Sequence, residues 1–444
     1  MHSKVSIHDC TGFDRALNLT PESVTLQSWR RREHDLSSEF KRFPMGRAEF
    51  VALIAMMFAT IAFSIDAMLP ALPEIAEELS PGIAYRASLV LTTFVLGMGV
   101  GTFIAGPLSD AYGRRRVLFF GSGLYIVAAA VAWASSTLEV MLAARVVQGL
   151  GAAGPRVVAI AIVRDLYSGR EMARIVSFVM MIFTIVPAFA PALGAVIILG
   201  TGWRGIFVAF IVFAIITIVW MGMRMPETLP DKYRRPLRPR LMLSAVGEIF
   251  GHSSVRLSII VQSLAMAMLF LTLMMIQTIY AETFNREESF PYWFGVIALI
   301  AGSATILNAV LVIQYGMRRL VTVTLGTQVL ISGVILALDP AGMMVPYGFS
   351  VFLVWQFCIF FQAGLTLGNL NAIAMEPMGH IAGIAASVIG AVSAIIAALL
   401  ASAVAQSFPA TVSNLIGGIL MMSSVGFFLM LTMKRDLPQT EAAE

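Results

Sequence analysis

Residues 86–134 read RASLVLTTFVLGMGVGTFIAGPLSDAYGRRRVLFFGSGLYIVAAAVAWA. Two apolar runs flank Gly106-Pro107-Leu108-Ser109-Asp110-Ala111-Tyr112-Gly113-Arg114-Arg115-Arg116. Each run is close to the roughly 20 apolar residues that carry a helix across a bilayer. Neither alternates with period two, which excludes the membrane strand of about 9–11 residues. The junction is short, polar and basic. It reads as a turn between two membrane helices whose basic end stays on the cytoplasmic face.

Outward from this hairpin the pattern repeats along the chain. Apolar runs fall at 48–71, 86–108, 117–134, 139–162, 173–199, 205–223, 257–280, 291–314, 319–338, 346–370, 381–405 and 413–433. Of the 444 residues, 58% are hydrophobic and 13% charged, and the mean hydropathy is +0.84. Soluble domains are nearer half apolar and a quarter charged. Twelve spans use roughly 240 residues and leave short loops and tails. A soluble enzyme, a disordered tail protein and a nucleic-acid-binding domain are excluded. The net charge of +4 points to basic loops against an anionic leaflet. Cys10 lies in a polar tail and Cys358 in an apolar run, so neither a disulfide nor a metal site is expected.

The positive charges orient the chain. Among the 30 lysines and arginines, only Arg86, Arg204 and Arg286 fall on outer loops, and only Arg145 and Arg156 fall well inside a span. The others lie on segments that are cytoplasmic if both termini are cytoplasmic. The outer loops carry Glu74, Glu77, Glu78, Glu282, Glu287 and Glu288 instead. Residues 1–44 have no apolar h-region and read as a polar cytoplasmic tail rather than a signal peptide.

The expected architecture is an all-α polytopic membrane protein with 12 transmembrane helices in two six-helix bundles, 45–223 and 257–433. A cytoplasmic linker loop at 224–256 joins them, and 434–444 form a C-terminal tail. The linker contains Pro226, Pro230, Pro236 and Pro239. Tyr112-Gly113-Arg114-Arg115-Arg116 follows span two, and Tyr315-Gly316-Met317-Arg318-Arg319 follows span eight. Six spans separate these turns, as parallel repeats of a rocking transporter require.

Ionisable groups in hydrocarbon are costly and are candidates for function. Asp66 is the only carboxylate well inside a span. It reads either as a proton carrier whose exposure switches or as a structural group near the outer headgroups. Span four contains Arg145-Val-Val-Gln148-Gly149-Leu-Gly151-Ala152-Ala153-Gly154-Pro155-Arg156. At 100° per residue, positions 145, 149, 152 and 156 share a face that is small apart from two guanidiniums. Arg145 lies in the depth band assigned to Asp66, so an Asp66–Arg145 pair is expected. Arg156 is deeper, with two open readings: attraction of an anionic substrate, or donation to helix-end carbonyls. In the turn after span two, Asp110 beside Arg114 would latch the cytoplasmic side.

The segment Gly106 to Arg115 resembles motif A of the major facilitator superfamily. Arg145-x-x-Gln148-Gly149-x-Gly151-Ala152-Ala153 resembles its motif B. Ser64-Ile65-Asp66 leading to Leu69-Pro70-Ala71-Leu72-Pro73 is similar to drug:proton antiporters of the bicyclomycin-resistance (Bcr/CflA) type. So are Val163 to Tyr167, Ser177 to Met180, and Ala374 to Gly383. The resemblance spans residues 45–433. It implies twelve helices, alternating access, and proton coupling through Asp66, Arg145 and Gln148. It also implies a cytoplasmic gate formed by Gly106, Asp110, Gly113, Arg114, Arg115 and Arg164. Span five should bend at Pro187, Pro191 and Gly194, although Ala190-Pro191-Ala192-Leu193-Gly194-Ala195 departs from the usual Gly-Pro-x-x-Gly-Gly. Ile313 stands where Asp110 would map in the second half. Spans one, four, seven and ten should line the cavity, with Arg156, Gln262, Met266, Gln277, Gln362 and Asn369 as substrate candidates.

Gly121-Ser122-Gly123 lacks the remainder of a P-loop, and no protease or metal signature is present. No enzyme activity, catalytic residue, cofactor or metal is expected. His380 reads as a cap or loop contact. The leading expectation is a monomeric bacterial inner-membrane transporter whose partners are a small-molecule substrate, protons and the lipid bilayer. It would export small amphipathic molecules in exchange for protons. Proton-coupled import of a metabolite or organic anion is the alternative, and a non-transporting receptor or scaffold the remote one.

Overall fold

The computed structural model describes residues 45–433 except 235, 238 and 339–347. The tails at 1–44 and 434–444, and Arg235, lie outside the described residues. Among those described, eleven helical stretches are long and apolar enough to cross a membrane. One of them, Gly348–Ser407, has 60 residues. As one helix it would reach about 90 Å, three times the hydrocarbon thickness. The 3₁₀ segment Glu376–Ile381 breaks it into two helices, which restores twelve spans.

The spanning helices are α1 (Arg47–Asp66), α3 (Leu89–Tyr112), α4 (Arg114–Trp133), α5 (Leu138–Leu166), α6 (Gly169–Thr201) and α7 (Arg204–Arg224). The second set is α9 (Ser253–Thr278), α10 with α11 (Phe290–Ala301 and Ser303–Tyr315), α12 (Met317–Leu338), α13 (Gly348–Met375), α14 (Ala382–Ser407) and α15 (Val412–Thr432). The short α2 (Leu72–Leu79) follows α1. Backbone groups in hydrocarbon must be satisfied within their own segment, which leaves the helix as the spanning form here. The outward faces are apolar and bare: Leu199 is 89% exposed and Ile313 85%. Such faces suit lipid rather than water.

The 224–256 segment is not all loop. It contains α8 (Pro239–Gly251). Pro239 begins this helix, where a missing N–H costs nothing, so the proline punctuation marks a helix start. Ile249 is fully buried with Val255, Ile259, Met378, Ala385 and Val388, and Val246 packs against that cluster. Glu248 of α8 meets the His380 ring nitrogen Nε2 at 2.6 Å, so His380 is a loop contact.

The two basic turns are conformationally alike. Gly113 has φ +98° and Gly316 φ +77°, with ψ 152° and 155°. Each donates its N–H to the residue four positions earlier, Ser109 and Val312, both at 3.0–3.1 Å. The sequence repeat is thus a repeat of backbone geometry. The halves meet along α3 and α14. Gln406 donates to the Tyr85 carbonyl at 2.9 Å and to Ser88 Oγ at 3.1 Å at the acidic end. A Cβ on Gly106 would lie 3.4 Å from Ser387 Oγ at the basic end.

Candidate functional site

The glycines of α5 let three backbones close around the site. A Cβ on Gly149 would lie 2.0 Å from the Phe94 carbonyl oxygen, and one on Gly97 would lie 1.9 Å from the Val146 carbonyl oxygen. No side chain fits there, so α3 and α5 touch main chain to main chain. Toward α3 run positions 146, 149, 150, 153 and 157; toward α4 run Gly151, Gly154 and Pro155. The remaining face of α5 carries Arg145, Gln148, Ala152 and Arg156.

Arg145 is completely buried. Its Nε donates to the Val90 carbonyl at 3.2 Å, Nη1 to Gln148 Oε1 at 2.8 Å, and Nη2 to the Ser64 carbonyl at 3.0 Å. The guanidinium also sits 4.3 Å from the Phe94 ring centroid. The expected Asp66–Arg145 ion pair is not formed. Carbonyls of α1 and α3 each accept one hydrogen bond from the cation instead. Asp66 is 6% exposed, and among the described residues no hydrogen bond or ion pair reaches its carboxylate. It ends α1 where α6 comes closest: a Cβ on Gly194 would lie 2.2 Å from the Ala67 carbonyl oxygen. Gly194 of the expected bend motif thus makes a close helix contact. α6 runs unbroken through Pro187 and Pro191, and Gly194 admits the α1 backbone next to Asp66.

Two residues join the site without having been assigned a role from sequence. Ser64 Oγ donates to the Thr60 carbonyl and lies 2.6 Å from Tyr125 OH. Ser64 has one proton, so Tyr125 is the donor between them. Tyr125 also lines a crevice among α1, α4, α5 and α7 with Thr60, Ser122 and Thr217. The available signal was a phenol amid the apolar residues of span three, which core packing explains equally well. Among the described residues, Gln148 Nε2 is buried without a partner.

At the basic end, Arg114 is 3% exposed. It donates to Asp110, to Ser109 Oγ at 2.7 Å and to Asp165 Oδ2 at 2.9 Å. Glu227 accepts from the main-chain N–H of Arg114 at 2.8 Å and of Arg115 at 3.0 Å, capping α4. Arg115 in turn donates to the Met225 carbonyl at 3.0 Å and the Gly222 carbonyl at 2.7 Å, capping α7. Arg164, expected in this latch, is exposed and makes no ion pair among the described residues. Its neighbour Asp165 faces inward and takes Arg114. Glu227 lies 113 residues from the helix end it caps, and the local pattern could not place it.

The cavity candidates divide. On α9, Leu264 and Leu271 face α15, against Gly426 and Gly418. Gln262, Met266 and Gln277 share the opposite face at 100° per residue. Gln262 and Gln277 are 7% and 3% exposed, and the amide oxygen of each is buried without a partner among the described residues. Met266 is half-buried. On α13, Gln362 donates to Thr366 Oγ1 at 3.0 Å but keeps an unpartnered Oε1. Asn369 donates to Asn308 Oδ1 at 2.6 Å and to the Leu365 carbonyl, which pins α13 to α11. Arg156 is half-buried, and among the described residues it has neither an ion pair nor a hydrogen bond.

Residues 52–402 match the family model described as Major Facilitator Superfamily. The chain is 27% identical over 350 residues to the "Uncharacterized MFS-type transporter YdgK" of Bacillus subtilis (strain 168), covering 78% of this chain and 85% of that one. It is 28% identical over 328 residues to "Multidrug resistance protein MdtL" of Escherichia coli (strain K12 / DH10B), covering 73% and 80%. A solved D-xylose-proton symporter superposes with TM-score 0.68 at 15% identity, over 88% of this chain and 98% of that one. At that identity the likeness is one of fold.

Proposed function

The chain belongs to the Major Facilitator Superfamily, and on that premise we propose that it is a proton-coupled exporter of small amphipathic molecules. It is a multi-pass membrane transporter; the export direction and the antiporter branch of bicyclomycin-resistance type are our reading. The observation that carries this reading is Asp66, a buried carboxylate left without a partner among the described residues, two positions after the Ser64 carbonyl that Arg145 holds. A carboxylate locked in an ion pair would resist protonation. One left unpaired can gain a proton when the cavity faces outward and lose it when the cavity faces the cytoplasm.

Arg145 serves as a positioning group. It clamps the Ser64 carbonyl and so fixes the last turn of α1. Protonation of Asp66 and cargo binding are mutually exclusive in this scheme, which makes exchange obligatory. The basic end of the bundle, with its Arg114 latch, is cytoplasmic, as are both termini, and the site is the inner membrane of a bacterium. The named relative from Escherichia coli supports efflux, and six spans per half supply the two bodies that rock in alternating access. The unit is one chain. One charge crossing 100 mV is worth about 2.3 kcal/mol, roughly a fifty-fold gradient.

The half-buried Arg156 keeps one second reading in view, import of an organic anion with protons. Purified protein in liposomes carrying an internal pH dye separates the two. With a panel of antibacterial compounds and small organic anions, antiport drives protons out of the lumen as the compound enters. Symport brings protons in with it. Asp66→Asn should abolish either movement in folded protein. Full uphill export by Asp66→Asn would remove the coupling assignment.

A further inference from the structure

Arg156 lies eleven residues beyond Arg145 on the same helical face, about 16 Å along α5. That face is the one neither α3 nor α4 occupies. Arg156 as a whole is half-buried, and its guanidinium is unpaired among the described residues. Asp66, the only carboxylate well inside a span, sits at the other end of the site, beside the Ser64 carbonyl that Arg145 holds. It is therefore too far along the bundle to neutralise Arg156. The spans of the second half bring only residues such as Arg256, Arg318 and Glu282 near their ends. A cation kept in hydrocarbon without a counter-ion is costly unless something arrives to pair with it. Independently, the α9 face turned away from α15 presents Gln262 and Gln277. Both are more than nine-tenths buried, and each has an amide oxygen without a donor. One half of the molecule thus offers an unpaired donor fork, and the other offers unpaired acceptors separated by the apolar Met266.

We propose that Arg156 is the anion-binding residue of the cargo site, selecting amphipathic molecules that carry one carboxylate or similar oxyanion on an apolar body. The inference rests on the transport reading of this cavity. A planar guanidinium holds a carboxylate through two parallel hydrogen bonds, whereas a neutral amide offers it one acceptor. Exporting an anion against an entering proton moves two charges inward per cycle. Anionic cargo would thus be driven roughly fifty-fold harder per 100 mV than neutral cargo.

The test uses an isosteric pair, 1-naphthoate and 1-naphthamide, with purified full-length protein in detergent and equilibrium dialysis as the binding readout. Wild type should hold naphthoate at least ten-fold tighter than naphthamide. Arg156→Gln should bring the ratio near one, chiefly by weakening naphthoate at least ten-fold. Asp66→Asn, which mimics the protonated carboxyl, should weaken both compounds alike and keep their ratio, so a failure of proton coupling would not be mistaken for a failure of anion selection. A second measurement needs no variant. Naphthoate should slow modification of Arg156 by phenylglyoxal several-fold, read by peptide mass spectrometry, and naphthamide should not. A wild-type protein with no preference for naphthoate, a preference that survives Arg156→Gln, or unprotected Arg156 would each overturn the proposal.

Discussion

The Arg145 guanidinium holds the Ser64 carbonyl at 3.0 Å, two residues before Asp66, and leaves the Asp66 carboxylate alone. The motif arginine of α5 thus acts on the main chain of α1. The carboxylate is positioned by that clamp on one side and by the approach of Gly194 to Ala67 on the other. On the proposed function, coupling and cargo recognition fall to separate groups on one bundle, Asp66 near the acidic end and Arg156 nearer the basic end.

Arg145→Lys tests the clamp. A lysine ammonium cannot reach the Val90 and Ser64 carbonyls and Gln148 in one fork geometry. At least one buried carbonyl then loses its charged donor, at about 1–3 kcal/mol. The expected outcome is a lowered unfolding midpoint in detergent and loss of proton-linked transport. Arg145→Lys with wild-type stability would show that the three hydrogen bonds contribute little.

Tyr125→Phe removes the donor to Ser64 while keeping the ring in its buried place. The predicted cost is about 1 kcal/mol, readable by thermal unfolding. Transport should weaken less than in Arg145→Lys, because the main-chain clamp survives. Ser64→Ala with Tyr125→Phe should cost less than the sum of the single changes, since both remove the same 2.6 Å contact.

Gly149→Leu should not yield folded protein. Its Cβ alone would stand 2.0 Å from the Phe94 carbonyl oxygen, and neither backbone can give way without separating α3 from α5. Size-exclusion of the detergent extract reads the outcome directly. A monodisperse Gly149→Leu at wild-type yield would contradict the close approach of these helices.

Gly113→Ala and Gly316→Ala separate strain from crowding. Both place a side chain at positive φ with ψ 152° and 155°, a region essentially reserved for glycine, at about 1–3 kcal/mol. Only Gly113 is also crowded, with Glu227 Oε2 at 2.7 Å from an added Cβ, while Gly316 has nothing within 4 Å. Gly113→Ala should therefore be the more destabilising of the two in a thermal scan, and it alone should disturb the Glu227 cap of α4. Equal effects would mean that the cap adjusts freely.

Much of this protein was legible along the chain. The length and polarity of the apolar runs fixed the number of spans, because hydrocarbon tolerates only self-satisfied backbone and charges at the ends. The turn at Gly113 and its echo at Gly316 could be read from neighbouring residues alone, since positive φ and basic flanks are local properties. The face shared by Arg145, Ala152 and Arg156 also followed from helical periodicity. The helix Pro239–Gly251 in the proline-rich linker is not legible along the chain, because a proline opens a helix as readily as it ends one.

What the chain by itself determined is an array of twelve apolar helices, their basic and acidic ends, and a short roster of intramembrane polar groups. Which of those groups meet was decided only by the tertiary structure. Arg145 chooses the Ser64 and Val90 carbonyls over Asp66, Asp165 replaces Arg164 in the latch, Glu227 reaches back 113 residues to cap α4, and Tyr125 joins from a third helix. Periodicity states which face of a helix a residue occupies. It does not state the depth or rotation of the helix opposite, and a hydrogen bond is won or lost over about an ångström of that difference.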